Sequence, residues 1–550
     1  MPYRPVLAVL LALCLPLQPL FAKSAPPFER QGDGVHEVAA IVIIGDRRVV
    51  HGLPIWDALE ADVLGAAISQ KDVDTIAETI LAWLTADGYV FASVAHRSQG
   101  LADGYLAYTV SVGDVGEISV VGNKYYSADQ IIKGVGLKTD GKFNYRSLHD
   151  DLFALNTKPS VTVDTTIDPK TEDGQQTVDV NLEVTDRLPV HGALTLSNTG
   201  SAATSDWRLR TTLQHMNLSK ADDILTAEWL TDPAAGNAVN AFSGSYHRPF
   251  GAKNSLTVYG GWSESDVNDV LPELDIFGEG HFLGARINHI VFSDPEHTID
   301  VSAGWTYQYL ENATDLANVT FDESELHLSM PSVTIGFSDK LFDDFDGRNF
   351  ASLSLLWNSA NHFGASDEDD FRRQQANADG NINITKFRVA RFQRLGKGLT
   401  LFGKIDSQYT NSTLVPALQK TLGGADSVRG YREREFGGDS GFTGTLELRS
   451  PLFNNFLPGL KLSEDALEAD PDNIKTHRLQ AIGFFDFGHV HRNDPVPGLN
   501  DDETASSVGL GLRFSLSRYS QMKFDYGFPL DETEDSDSSG RGHLSLSLQF

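Results

Sequence analysis

Residues 507–516 read SVGLGLRFSL, and the alternation of their side chains decides how the chain folds. In an extended strand successive side chains point to opposite faces. Val508, Leu510, Leu512, Phe514 and Leu516 therefore share one face, and Gly509, Gly511 and Arg513 the other. QMKFDYGF (521–528) repeats the pattern, with Met522, Phe524, Tyr526 and Phe528 opposing Lys523 and Asp525. HLSLSLQF (543–550) does so again, setting Leu544, Leu546, Leu548 and Phe550 against serines and Gln549. One apolar and one polar face fits either a half-buried sandwich strand or a membrane barrel strand. Length separates the two. A sandwich closes in about 100 residues, whereas here alternating segments and polar loops continue through the 363 residues from 188 to 550. Sixteen strands would give each about 23 residues with its loop, which suits membrane strands of about 10. In lipid only helices or a closed barrel satisfy the backbone. Beyond residue 25 no apolar run approaches the roughly 20 residues of a membrane helix. The expected fold is a transmembrane antiparallel β-barrel of 16 strands over 188–550, ending on Phe550 at the inner membrane face.

A formal charge of -31 argues against nucleic acid as a partner, because phosphate binding needs clustered Lys and Arg. The start, MPYRPVLAVLLALCLPLQPLFAKSAPP, has one early cation, Arg4, then an apolar run and a small residue, Ala22. That is the pattern of a secretory signal peptide over 1–22. The single cysteine, Cys14, lies within it and follows Leu13, so no lipid anchor is expected. Without cysteine the mature chain has no disulfide and no thiolate zinc site.

Between residues 36 and 187 helical and strand periods mix. VAAIVIIG is a β-branched run, and DVDTIAETILAWLTADG carries Ile76, Ile80, Leu81 and Leu84 on one helical face, with Asp72 as cap and Gly88 as stop. YVFASVAHR and GYLAYTVSV follow as strands. The order then repeats, with VGEISVVGN, helices capped by Ser127 and Asn144, and the strands PSVTVDTTID and QTVDVNLEVTD. Two β-α-α-β-β units result, over 36–113 and 114–187, each able to bury a small sheet against helices. Their open edges can accept an extended peptide by strand addition. The intervening segment 23–35, with Pro26, Pro27, Gly32 and Gly34, is too short and broken for a stable helix.

The residues 422–441, LGGADSVRGYREREFGGDSG, hold six glycines, three arginines and four carboxylates. A phosphate cradle there would need glycines directly before a helix and a Lys. A protease reading would rest on GDSG alone, with no partner histidine motif. A signal peptide, two small α+β units and a long barrel, taken with VRGY (Val428, Arg429, Gly430, Tyr431) and F-x-D-x-G (Phe484, Asp486, Gly488), resemble another class. They are similar to the outer-membrane translocators of two-partner secretion, the haemolysin secretion/activation family, whose periplasmic units are POTRA domains. LTLSNTG and WRLRTTLQHMNLSKADDIL resemble that family's first barrel strands.

The resemblance implies that the loop folds inward and that Arg429 meets Asp486 on the inner wall. The residues support this independently. Alternation in FFDFG puts Asp486 with Phe484 and Gly488 and sends Phe485 and Phe487 to lipid, where a charge would be costly. Arg429 supplies a planar fork suited to a carboxylate, Gly488 leaves room for a close loop, and Gly423, Gly424, Gly437 and Gly438 let the loop turn back. The function implied is export of an unfolded exoprotein, captured by the POTRA units and threaded through the pore. The alternative is an assembly factor of the same superfamily, although such relatives usually carry three or five POTRA units. No catalytic or metal-ligating set and no cofactor is expected; the acidic stretches DETEDSDSSG and DDFDG lack the spacing of a calcium loop. The expected surroundings are the outer-membrane bilayer and lipopolysaccharide, with the barrel assembly machinery as partner during biogenesis and Phe550 as terminal signal. Departures from the family are the lack of room for a plug helix before residue 36 and an unexplained insertion at 451–477 with a short helix expected at SEDALEAD.

Overall fold

The computed structural model describes residues 36–550 apart from 54, 98–102, 140, 173–174, 202–203, 234–237, 252, 272–273, 295, 317–318, 455, 457–476 and 517–518. The expected leader and SEDALEAD lie outside the described residues. Contacts divide the chain into two units, Met1–Leu188 and Pro189–Phe550.

The first unit holds two apolar cores, one built from residues between Val38 and Val112, the other between Val115 and Val184. In the first, Ala40–Gly45 runs parallel to Tyr105–Ser111, which pairs antiparallel with Ser93–Arg97. Ile76, Ile80 and Leu84 of the helix Gln70–Ala86 are buried against this sheet. Its N-cap is Ser69 rather than Asp72: the Asp72 carboxylate sits one turn in and takes back the Ser69 N–H at 2.8 Å, a reciprocal capping box. Two further short helices, Arg47–His51 and Trp56–Val63, were not located in the sequence, and they bring this core to three helices among the described residues where the β-α-α-β-β order has two. Gly52 and Pro54 break their period, which hides them in the sequence.

In the second core Asp114–Val121 runs parallel to Gln175–Asp186, which pairs antiparallel with Val161–Glu172. Ser127 and Asn144 cap the helices Ala128–Gly134 and Tyr145–Asn156. Lys142 ties the two cores together, its Nζ lying 2.7 Å from Asp46 Oδ1 and 2.5 Å from Asp114 Oδ1. Burial works against the Lys142 charge, and the two carboxylates more than offset it, raising its pKa above the usual lysine range.

The second unit is a closed antiparallel barrel of sixteen strands, from Val190–Ser197 to Arg541–Gln549, with Phe453–Asn454 a short continuation beside the thirteenth. Closure pairs Ser545 with Ser197 and Gln549 with Ala193. Phe550 completes the seam, exchanging N–H···O bonds of 2.9 Å with Gly192 in both directions. Val508, Leu510 and Leu512 are exposed on the outer face, Leu510 by 70 %, as a lipid-facing side requires.

The strands are not uniformly about 10 residues long. The fifth to eighth, Asn254–Leu271, Leu274–Ser293, His297–Leu316 and Val319–Asp339, run 18 to 21 residues. At about 3.4 Å per residue they reach well past a membrane-spanning band about 25 Å tall. The outer face marks where that band ends. Trp229, Phe242, Trp262, His281, Tyr309 and His327 are successive cross-strand partners in one row. Two residues further out, Glu264, Glu279, Glu311 and Glu325 are again direct partners. Aromatic rings suit a membrane–water interface and carboxylates the water beyond it.

Candidate functional site: a loop docked inside the barrel

The sixth external loop leaves the eleventh strand, Leu399–Tyr409, and returns to the twelfth, Ser440–Arg449. It is a hairpin: Lys420–Leu422 pairs antiparallel with Phe436–Gly438. At its base Asp439 is buried, accepting the N–H groups of Leu414 (2.8 Å) and Asn493 (2.7 Å). Ser440 Oγ bonds both backbone groups of Thr410 at 3.0 Å, so GDSG is a structural knot that ties loop ends together.

The tip meets the inner wall through Arg429, which is 4 % exposed. Its Nε donates to Asp486 Oδ2 at 2.6 Å, its Nη2 to Asp486 Oδ1 at 2.8 Å, and its Nη1 to Glu447 Oε1 at 2.8 Å. The backbone N–H of Arg429 adds a 3.2 Å bond to Asp486 Oδ2. Asp486 is fully buried. The guanidinium carbon stands 3.5 Å from the centroid of the Phe484 ring, a favourable cation–π placement. Two neighbouring carboxylates carry a second cation: Arg449 bonds Glu447 at 2.9 and 2.6 Å, and Arg513 bonds Asp525 at 2.6 and 2.9 Å. Asp525 Oδ2 is itself 3.5 Å from Arg429 Nη1. Three arginines thus interleave with three carboxylates, which makes burial of the central charge tolerable.

The other motif residues seat the tip. Gly430 has φ +100°, a conformation that excludes most side chains. A Cβ there would stand 2.9 Å from the Gly527 backbone, so two glycines meet where loop and wall touch. The Gly430 N–H donates to His543 Nε2 at 3.0 Å. Tyr431 is buried, and its hydroxyl donates to the carbonyls of Ser506 (3.1 Å) and Asp531 (2.8 Å). Val428 packs with Leu422, Tyr431, Val490 and Ala505. Gly488 makes room for it: a Cβ would sit 2.7 Å from Leu422 Cδ2 and 3.2 Å from Val428 Cγ2.

The four flanking glycines divide. Gly423 and Gly424 have positive φ and turn the chain. Gly437 and Gly438 do not turn it; they lie in the returning strand, where Gly438 lets the hairpin press on Val490. Glu447, Asp525, Arg449, Arg513, His543 and Gly527 were not anticipated. Their inward alternation was readable, but nothing local says which inward residues share a level once the barrel closes. A second element inside the barrel was missed as well. The helix Glu368–Gln374 of the fifth external loop buries Phe371 against Leu326, Leu328 and Ile382.

Sixteen strands closed around an inward-docked loop and preceded by small α+β units define an outer-membrane transporter barrel with periplasmic domains. The profile of the family described as haemolysin secretion/activation protein ShlB/FhaC/HecB matches residues 176–514. The chain belongs to that family, and it is a transporter of two-partner secretion that exports a partner exoprotein, not an enzyme. It is similar to the outer membrane transporter CdiB of Dickeya dadantii (strain 3937), 22% identical over 484 residues that cover 86% of this chain and 79% of that one. CdiB from Escherichia coli has a similar fold, with a TM-score of 0.75, 18% identity, and coverage of 98% of this chain and 94% of that one. Similarity to the outer membrane protein assembly factor BamA of Nitratidesulfovibrio vulgaris is 26% over 213 residues, only 38% of this chain and 24% of that one.

Proposed function

We propose that the partner exoprotein is captured unfolded on the periplasmic units, taken as POTRA domains over 36–113 and 114–187, and threaded through the barrel lumen. In this reading the docked sixth loop keeps the lumen ordered for passage, and Val428 to Tyr431, Phe484, Asp486 and Gly488 are its working contacts. The observation that carries it is the fully buried Asp486 holding the fork of Arg429 inside the barrel, a charged contact with no reason to sit there unless the loop belongs in the lumen. Capture is supported by Val161–Glu172, a twelve-residue strand that pairs on one side only among the described residues. Asn156 closes its other edge at Val163, accepting the Val163 N–H at 2.7 Å and donating to its carbonyl at 3.0 Å, and the stretch beyond Val163 can template an added strand. The apolar outer face and its aromatic row would sit in lipid beneath lipopolysaccharide, and the strand ending on Phe550 would be read by the barrel assembly machinery. Deleting Gly116 to Thr185 tests capture. Export should stop while the barrel still reaches the membrane; export of the partner at the normal rate by the deleted protein would refute it.

A further inference from the structure

The docked loop roofs a chamber of about 640 Å³ in the lumen. Gln480 and Ile482, which line it, lie nearer than Asp486 to the start of the thirteenth strand, His477–His491, so on that wall the chamber reaches toward the periplasmic end. In a chain of net charge -31 its wall is basic. Arg429, Arg449 and Arg513 are matched by the three carboxylates described above. Beyond them Arg208, Arg210, Lys404 and Lys523 line the space, against Asp426 alone. Arg210 Nε lies 3.4 Å from Glu228. Arg208, Lys404 and Lys523 form no ion pair among the described residues, although Arg208 is held by the carbonyls of Ser205 and Trp207.

The bases are also placed where folding alone would not put them. Lys523 is the direct cross-strand partner of Arg513. The same row continues through Ser545 and Ser197, across the closing seam, to Arg208. Like charges directly opposite weaken a strand pair. A narrow cationic space walled by protein focuses its field on whatever enters.

We infer that this chamber is an anion-binding vestibule that receives carboxylate-rich stretches of the exported polypeptide and makes the pore anion-selective. Assigning the anion to the exported chain rests on the export reading; the ion selectivity does not. A chain entering from the periplasm would meet Lys523 before the docked loop and Lys404 beside it, where Lys404 Nζ lies 3.4 Å from the Asp426 carbonyl of the loop, and its acidic side chains would be drawn to them.

The test uses the purified full chain in planar bilayers under a potassium chloride gradient, with oligo-glutamate or oligo-lysine added on the periplasmic side. The wild-type pore should prefer chloride and be blocked by oligo-glutamate at lower concentration than by oligo-lysine. Lys404→Gln/Lys523→Gln should lose both preferences while keeping its heat-modifiable migration on gels, which shows the barrel is folded. A potassium-preferring wild-type pore, or unchanged block in the variant, would overturn the vestibule. If the pore preferred potassium while Arg429→Ala abolished export, the export reading would stand and the vestibule would fall. Chloride preference with no export of any partner would fault the export reading instead.

Discussion

Replacing Arg429 with Ala removes three side-chain hydrogen bonds, two to Asp486 and one to Glu447, together with the stack on Phe484. Glu447 keeps Arg449 and Asp525 keeps Arg513, so the group left without a counter-ion is Asp486. Breaking a buried ion pair costs about 3–5 kcal/mol. The lower end applies, because the backbone N–H at residue 429 still bonds Asp486 and the chamber beside it admits water. At 1.4 kcal/mol per factor of ten, about 3 kcal/mol lowers the docked-to-undocked ratio of the loop roughly a hundredfold. Hydrogen exchange of the Val428 to Tyr431 amides in the purified barrel should accelerate by about that factor, and export should fall with it. Asp486→Ala should do less, since Arg429 keeps Glu447 at 2.8 Å and Asp525 at 3.5 Å. The double variant should resemble Arg429→Ala, because both changes remove one shared contact. Arg429→Lys should rescue only in part, having no fork to share between two carboxylates. Strictly additive losses, or unchanged exchange in Arg429→Ala, would refute the reasoning.

Unboiled protein should migrate anomalously on a denaturing gel and shift on heating; identical mobility with the protein soluble in the periplasm would contradict the barrel. Gly430→Ala should loosen the loop tip by about 1–3 kcal/mol, the scale of backbone strain at positive φ, seen as faster exchange at Tyr431, whereas Gly498→Ala, also at positive φ but with open space around it, should leave the tip unchanged. Lys142→Ala should let the two periplasmic cores move relative to each other, read as increased exchange near Asp46. Because the folded-state pKa of Lys142 is raised, its contribution is complete below the ordinary lysine range and fades only as pH climbs through the raised value. The protection of those amides, taken relative to the intrinsic exchange rate at each pH, should therefore be flat between pH 6 and 9 in the wild type, conditions chosen as roughly a unit or more below that range.

Alternation carries over from sequence to barrel because it is a local property: Leu510 faces out and Arg513 in whatever the rest of the chain does. The pairing of Arg429 with Asp486 was implied by the family resemblance, to which alternation in FFDFG adds only that Asp486 faces inward. Glu447 and Asp525 were out of reach. Their nearness to Arg429 depends on registers such as Thr445 with Asp486 and Lys523 with Arg513, which closure sets over the whole circumference. Gly437 and Gly438 misled because glycine permits a turn and a close approach alike, and only the position of Val490 tells them apart. The long fifth to eighth strands escaped because alternation continues above the membrane, with Glu311 and Glu325 facing water in place of apolar groups facing lipid.

The central claim is that the partner passes through the lumen. A photo-crosslinking residue placed at Lys523, on the inner wall, or at Leu510, on the outer, can be tested with a partner stalled in transit by a folded tag. Crosslinks to the stalled chain from Lys523 and none from Leu510 are predicted. Crosslinks from Leu510 with none from Lys523 would mean that the exoprotein crosses along the outside of the barrel, and would contradict the account.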